Sequence, residues 1–197
     1  MKKNKKELES RQIKRLEYWN EKQYKLELLK SFPKTVQKVI ESEDFPIIED
    51  FTVSLFYHGN SRTGKTTNIY RRIIKWHLSS YINFRETSFN FFKVPMLLDE
   101  LRNMQNDIER KKEFIESLKR CRLLVLDDLG ACQMTDWATQ MMYMIIDFRY
   151  EEEKTTWYTS NFDLPTLAEM TGDDRLVGRI VNHCKGNIIE FVNTPFL

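Results

Sequence analysis

From residue 53 onward, short continuous apolar runs alternate with longer stretches in which apolar positions recur every three or four residues. The runs at 53–58, 89–94, 123–126, 155–159 and 188–192 have the length and composition of strands buried on both faces. The stretches at 66–78, 95–104, 107–119, 136–150 and 174–184 mix charges with helically spaced apolar positions, as covering helices do. The alternation predicts an α/β chain with a five-stranded, mainly parallel sheet flanked by helices on both faces. In such sheets ligands bind at the carboxyl ends of the strands, so chemistry is expected in the residues that follow each run.

Before residue 50 the pattern differs. Leu8, Ile13, Leu16, Trp19, Leu26 and Leu29 lie mostly three to five apart, with charges between them and no Gly or Pro. This predicts a helix with a modest apolar stripe, ended by Pro33 and followed by an acidic connector at 41–50. Two parts are expected: an N-terminal helical extension over 1–50 and the main domain over 51–197. Residues 1–30 carry ten Lys or Arg against five acids, although the whole chain has a net charge of only +2. Overall charge therefore does not make this a nucleic-acid coat, and any nucleic-acid site must be local. The bases and aromatics of the arm (Arg11, Lys14, Arg15, Tyr18, Trp19, Lys22, Tyr24, Lys25) suit DNA, a protein partner or a solvated extension.

Composition narrows the setting. With 41% apolar and 13% aromatic residues, the 197-residue chain can bury a core. Cys121, Cys132 and Cys184 form neither a disulfide framework nor a zinc set, and the three histidines lack ligand spacing. A reducing cytoplasm is the expected compartment. The basic start is followed by charged residues rather than the apolar core of a signal peptide, and the longest apolar run, 141–146, is far too short to span a membrane.

After the first predicted strand comes Gly59-Asn60-Ser61-Arg62-Thr63-Gly64-Lys65-Thr66, which fits G-x-x-x-x-G-K-[ST] between a strand and a helix. Such a loop curls so that successive N–H groups and a helix N-terminus face phosphate oxygens. Lys65 then reaches the β and γ oxygens and the Thr66 hydroxyl ligates Mg²⁺. With Thr67 these residues form the expected ATP-binding set. Arg62 stands where many such loops have a third glycine.

The run at 123–126 leads into Asp127-Asp128, a Walker B arrangement. Asp127 is placed to hold Mg²⁺, and Asp128 to orient or deprotonate an attacking water. Adjacent strand residues point to opposite faces, so the two acids share one site only if the strand has ended there. The triplet Thr159-Ser160-Asn161 follows another strand and reads either as a turn or helix cap or as a sensor of the terminal phosphate. Arg175 and Arg179 lie at i and i+4 of a predicted helix. They read either as surface salt bridges to Asp173 or Asp174 or as groups that reach a neighbouring subunit's phosphate.

Taken together, these motifs resemble the AAA+ ATPases of the bacterial helicase-loader and transposition-helper group, the DnaC/DnaI and IstB-like family, over about residues 51–192. Further resemblance lies in the stretches at 91–102 and 126–130, in Phe148-Arg149-Tyr150 and in the helix bearing Arg175 and Arg179. The resemblance implies that Asn161 is the sensor and that Arg175 acts in trans, with Arg179 in reserve. It also implies ATP and Mg²⁺ as cofactors, a replicative helicase as partner, contact with single-stranded DNA, and a homo-oligomer formed on ATP or partner binding. With Leu197 shortly after the last predicted strand, the helical lid of many AAA+ proteins is not expected in this fold. The expected function is an ATP-hydrolysing helicase loader in DNA replication, with no membrane role. The rival readings are a transposase helper, a non-hydrolysing ATP-binding adaptor, suggested by Arg62 and by Asp128 where many ATPases have Glu, and a small-molecule kinase.

Overall fold

The computed structural model describes residues 52–82 and 88–192, together with Lys30, Lys34 and Gln37. These fall into two compact units. One holds the three separate residues and residues 67–82, and the other holds 52–66 and 88–192. Of the helix predicted at 7–30 only Lys30 is described, and it is helical; the acidic connector lies outside the described residues. Lys34 and Gln37 are helical, past the proline at which the arm's helix was expected to stop.

The elements run β1 (Leu55–His58), α1 (Lys65–Ile82), β2 (Phe89–Lys93), α2 (Val94–Asn103), α3 (Ile108–Arg120), β3 (Leu123–Leu129), α4 (Asp136–Glu151), β4 (Thr155–Ser160), α5 (Leu164–Thr171), α6 (Asp174–Cys184) and β5 (Ile188–Glu190). The strands form one sheet in the order β2-β3-β4-β1-β5, and every pairing is parallel. The chain leaves β1 for the far edge at β2, returns through β3 and β4, and ends on the other side at β5. The order therefore reverses at β1, where a doubly wound sheet places its ligand crevice.

Register explains the core. Phe92, Leu126, Tyr158, Phe56 and Ile188 are paired in one row across all five strands. That face packs against Leu97, Leu101, Leu118, Met142, Ile145, Leu176 and Ile180 of the helices. Leu123 to Leu126 are all fully buried, as a continuous apolar run in a parallel sheet requires. Local chemistry starts the helices. Asp107, Thr135, Asp163 and Asp173 each accept a backbone N–H at the N-termini of α3, α4, α5 and α6. His183 is a buried core residue: Nε2–H donates to the Lys154 carbonyl at 2.8 Å, and Nδ1 accepts from the Tyr158 hydroxyl at 2.9 Å. Burial holds its pKa down to about 4.

Two features depart from expectation. Helix α5 was not predicted, because its eight residues carry barely two turns of periodicity. Strand β3 continues three residues past the predicted end at 126, through both aspartates to Leu129, with an irregularity between Leu126 and Leu129.

Candidate phosphate-binding site

The loop that follows β1 turns on unusual backbone angles. Gly59 has φ +130°, Arg62 φ +66° and Gly64 φ +91°. A Cβ at Gly59 would overlap the carbonyl oxygen of Phe191, because Phe191 N–H bonds to His58 O at 2.7 Å and brings that backbone alongside. Only glycine fits there. Arg62 holds the left-handed conformation that a third glycine would adopt freely, at a cost of about 1 kcal/mol. Gly59→Ala is expected to destabilise the protein by about 2–5 kcal/mol, which denaturant unfolding would show, and to weaken nucleotide binding.

Inside the loop, Thr63 Oγ1 donates to Asn60 O at 2.9 Å. The Lys65 ammonium donates to Gly59 O and Asn60 O, both at 2.7 Å, and more distantly to Thr63 Oγ1 at 3.4 Å. Burial lowers the Lys65 pKa, while the charges of Asp128 and Asp127 oppose that shift. The lysine is thus fixed against the loop by its own carbonyls and faces both acids.

Asp127 is fully buried, and its Oδ1 accepts from the Thr66 hydroxyl at 2.9 Å and from the Thr159 hydroxyl at 2.6 Å. Its Oδ2 is buried and has no hydrogen-bond partner among the described residues. Burial pushes its pKa up, and the two hydroxyls pull it back. An unpartnered carboxylate oxygen beside a threonine hydroxyl is the all-oxygen donor chemistry that suits Mg²⁺, so the residues present fit that ion.

Asp128 answers the question raised by the strand alternation. Its φ of +60° breaks the alternation inside β3, and its carboxylate pairs with Lys93 at 3.0 Å. Lys93 ends β2 opposite Asp127 in register. Its pKa is raised, first by the hydrogen bond to Asp128. Both acids therefore stand at one strand edge although neither lies beyond the strand.

The residues of the triplet divide. Ser160 is structural: its hydroxyl donates to Leu129 O at 2.7 Å and accepts from Phe162 N at 3.0 Å. Asn161 is exposed and lines a cleft of about 390 Å³ with His58, Gly59, Asn60, Asp163 and Phe191, so the expected sensor lies beside the loop. A larger cleft, about 490 Å³, lies at the opposite, amino-terminal edge around residues 52–54 and His183.

The arginines are engaged within the chain. Arg175 makes a two-pronged pair with Asp173, at 3.0 and 2.8 Å, and lies over the Tyr143 ring. Arg179 pairs with Asp147 and lies over Tyr150. Among the described residues no hydrogen bond or ion pair joins either arginine to the loop. Neither motif nor spacing assigns a role to Lys93, and Thr159 reads there only as part of a triplet. The available signal was position, since each sits at the carboxyl end of its strand.

Residues 79–192 match the model of a family described as IstB-like ATP binding protein. That match begins beyond the loop, so the assignment of residues 59–66 stands on their own sequence and geometry. The replicative helicase loader DnaI of Bacillus subtilis (strain 168) is 27% identical over 109 residues, which is 55% of this chain and 33% of that protein. The chain thus spans about a third of the length of this curated relative. Among solved structures, the DnaC helicase loader matches with a TM-score of 0.60 and 22% identity over 80% of this chain and 86% of that one. DnaI matches with a TM-score of 0.61 and 21% identity over 83% and 93%. The replication initiator DnaA, bound to AMPPCP and single-stranded DNA, matches with 0.59 and 18% over 81% and 45%. At these identities the structures show a shared fold.

Proposed function

Because this chain belongs to the family of IstB-like ATP binding proteins, we propose that it binds and hydrolyses ATP with Mg²⁺ and works in the cytoplasm as a loader of a replicative helicase. The observation that carries the nucleotide reading is the convergence of Lys65, Thr66 and Asp127, with the buried, unpartnered Asp127 Oδ2 at its centre. When bound, Mg²⁺ neutralises charge on the β and γ oxygens. Thr66 and Asp127 are the residues that would hold it. The loop N–H groups and Lys65 bind the phosphates, and Asp128 and Asn161 orient the attacking water.

Arg175 is exposed, and we assign it to the terminal phosphate of a neighbouring copy, with Arg179 in reserve. On this reading the subunits assemble when ATP is bound, and hydrolysis changes their hold on helicase and single-stranded DNA. Residues 1–50 serve as the partner-binding arm. Similarity to the DnaI loader supports a helicase partner. The resemblance to IstB-like proteins keeps one alternative, a helper of a transposase.

The test is helicase loading. The chain should raise the amount of its host's replicative helicase bound to single-stranded DNA in the presence of ATP and Mg²⁺, and Lys65→Ala should abolish the gain. Capture of a transposase, with no effect on the helicase under any nucleotide condition, would overturn the loader reading.

A further inference from the structure

Two hydroxyls, from different elements, converge on a single oxygen of Asp127. Thr66 approaches from the first turn of α1 and Thr159 from the end of β4, and both donate to Oδ1. The carboxylate is therefore held in one rotation, with Oδ2 buried and without a donor among the described residues. Thr159 does a second thing. Having given its only proton to Asp127, its oxygen accepts the backbone N–H of Asp128 at 3.0 Å. That N–H belongs to the residue whose φ of +60° breaks the strand alternation. One fully buried hydroxyl thus ties together the side chain of the first acid and the backbone of the second.

We propose that Thr159 is a positioning residue for the cation site: it holds Asp127 with Oδ2 directed to the metal and keeps Asp128 in the left-handed turn that brings both acids to the same edge. This rests on the ATP·Mg²⁺ reading above. A purely structural threonine would need only one of these bonds, and its methyl group would serve as well as its hydroxyl. The hydroxyl is what the proposal requires. A serine keeps both bonds, whereas a valine of the same shape keeps neither. Without the Thr159 bond, Asp127 is free to rotate and offer Oδ2 to Thr66, and the half-buried Asp128 N–H loses its partner.

The experiment uses the full chain and a fluorescent mant-labelled ATP, titrated first in EDTA and then against Mg²⁺. Thr159→Val should bind the nucleotide in EDTA within about threefold of wild type but need about tenfold or more Mg²⁺ for the half-maximal metal-dependent gain, the loss expected for a hydrogen bond to a charged group. Thr159→Ser should stay within about threefold of wild type throughout. Thr159→Ala is the second hydroxyl-less variant should the valine protein fail to fold, which circular dichroism would show. An unchanged Mg²⁺ midpoint in the folded hydroxyl-less variant, or a serine variant as impaired as it is, would overturn the proposal while leaving the ATP reading intact. Failure of the wild-type protein to bind mant-ATP under either condition would overturn both.

Discussion

Lys65→Ala is expected to lower ATP turnover by about a hundredfold or more, because it removes a cation from the phosphate site along with its charge-assisted hydrogen bonds. The ammonium now lies 2.7 Å from the Gly59 and Asn60 carbonyls, pinned where the loop turns into α1. Phosphate oxygens carry full negative charge and are stronger acceptors than those carbonyls, so the lysine exchanges weak partners for strong ones. The substitution also leaves Lys93 alone to offset the field of Asp127 and Asp128, which worsens repulsion of the nucleotide. Steady-state turnover measured beside a thermal melt separates this effect from misfolding. Turnover within threefold of wild type in a folded Lys65→Ala protein would contradict it.

The second large effect is on stability. Arg149 is fully buried, and among the described residues no carboxylate pairs with it. Its guanidinium instead faces carbonyls: Leu118 at 2.9 Å, Lys119 at 3.0 Å, Cys121 at 2.9 Å and Thr155, with Nε donating to the Thr156 hydroxyl at 2.8 Å. Leu118 and Lys119 belong to the last turn of α3, where the carbonyls have no helical partners and carry the negative end of the helix dipole. The arginine thereby joins the end of α3 to the start of β4, and the carbonyl dipoles compensate its charge. Burial still pulls its pKa down. Arg149→Met fills much of the volume but leaves these carbonyls buried and unpaired. We expect a loss of about 3–5 kcal/mol. In a chain of this size that corresponds to a fall of roughly 6–20 °C in melting temperature. Arg149→Lys should rescue little, since one ammonium cannot span acceptors held on two elements. A melting temperature unchanged in Arg149→Met would show that the guanidinium network adds nothing.

The strands were legible because a parallel sheet buried on both faces leaves continuous apolar runs, and all five were placed. The turn at 59–64 was legible because glycines at fixed spacing answer a backbone demand, and Gly59 pressed against Phe191 shows that demand directly. What escaped the sequence was set by tertiary contact. No periodicity marks the irregularity in β3, so the meeting of Asp127 and Asp128 at one edge could not be read from alternation. Lys93 belongs to no local motif, and its pairing with Asp128 spans 35 residues of chain. Thr159 looked like one of three equivalent polar residues until its hydroxyl was seen between the two acids. For Arg175, pairing with Asp173 was the plainer of the two readings, and that pair is present in the chain.

The most direct test of the central claim is calorimetric titration of the purified full chain with ATP, with and without Mg²⁺, beside Asp127→Ala. The account predicts saturable binding that Mg²⁺ strengthens in the wild type, with that strengthening lost in Asp127→Ala. Absence of ATP binding to the folded wild-type protein, or equal Mg²⁺ dependence in both proteins, would contradict it.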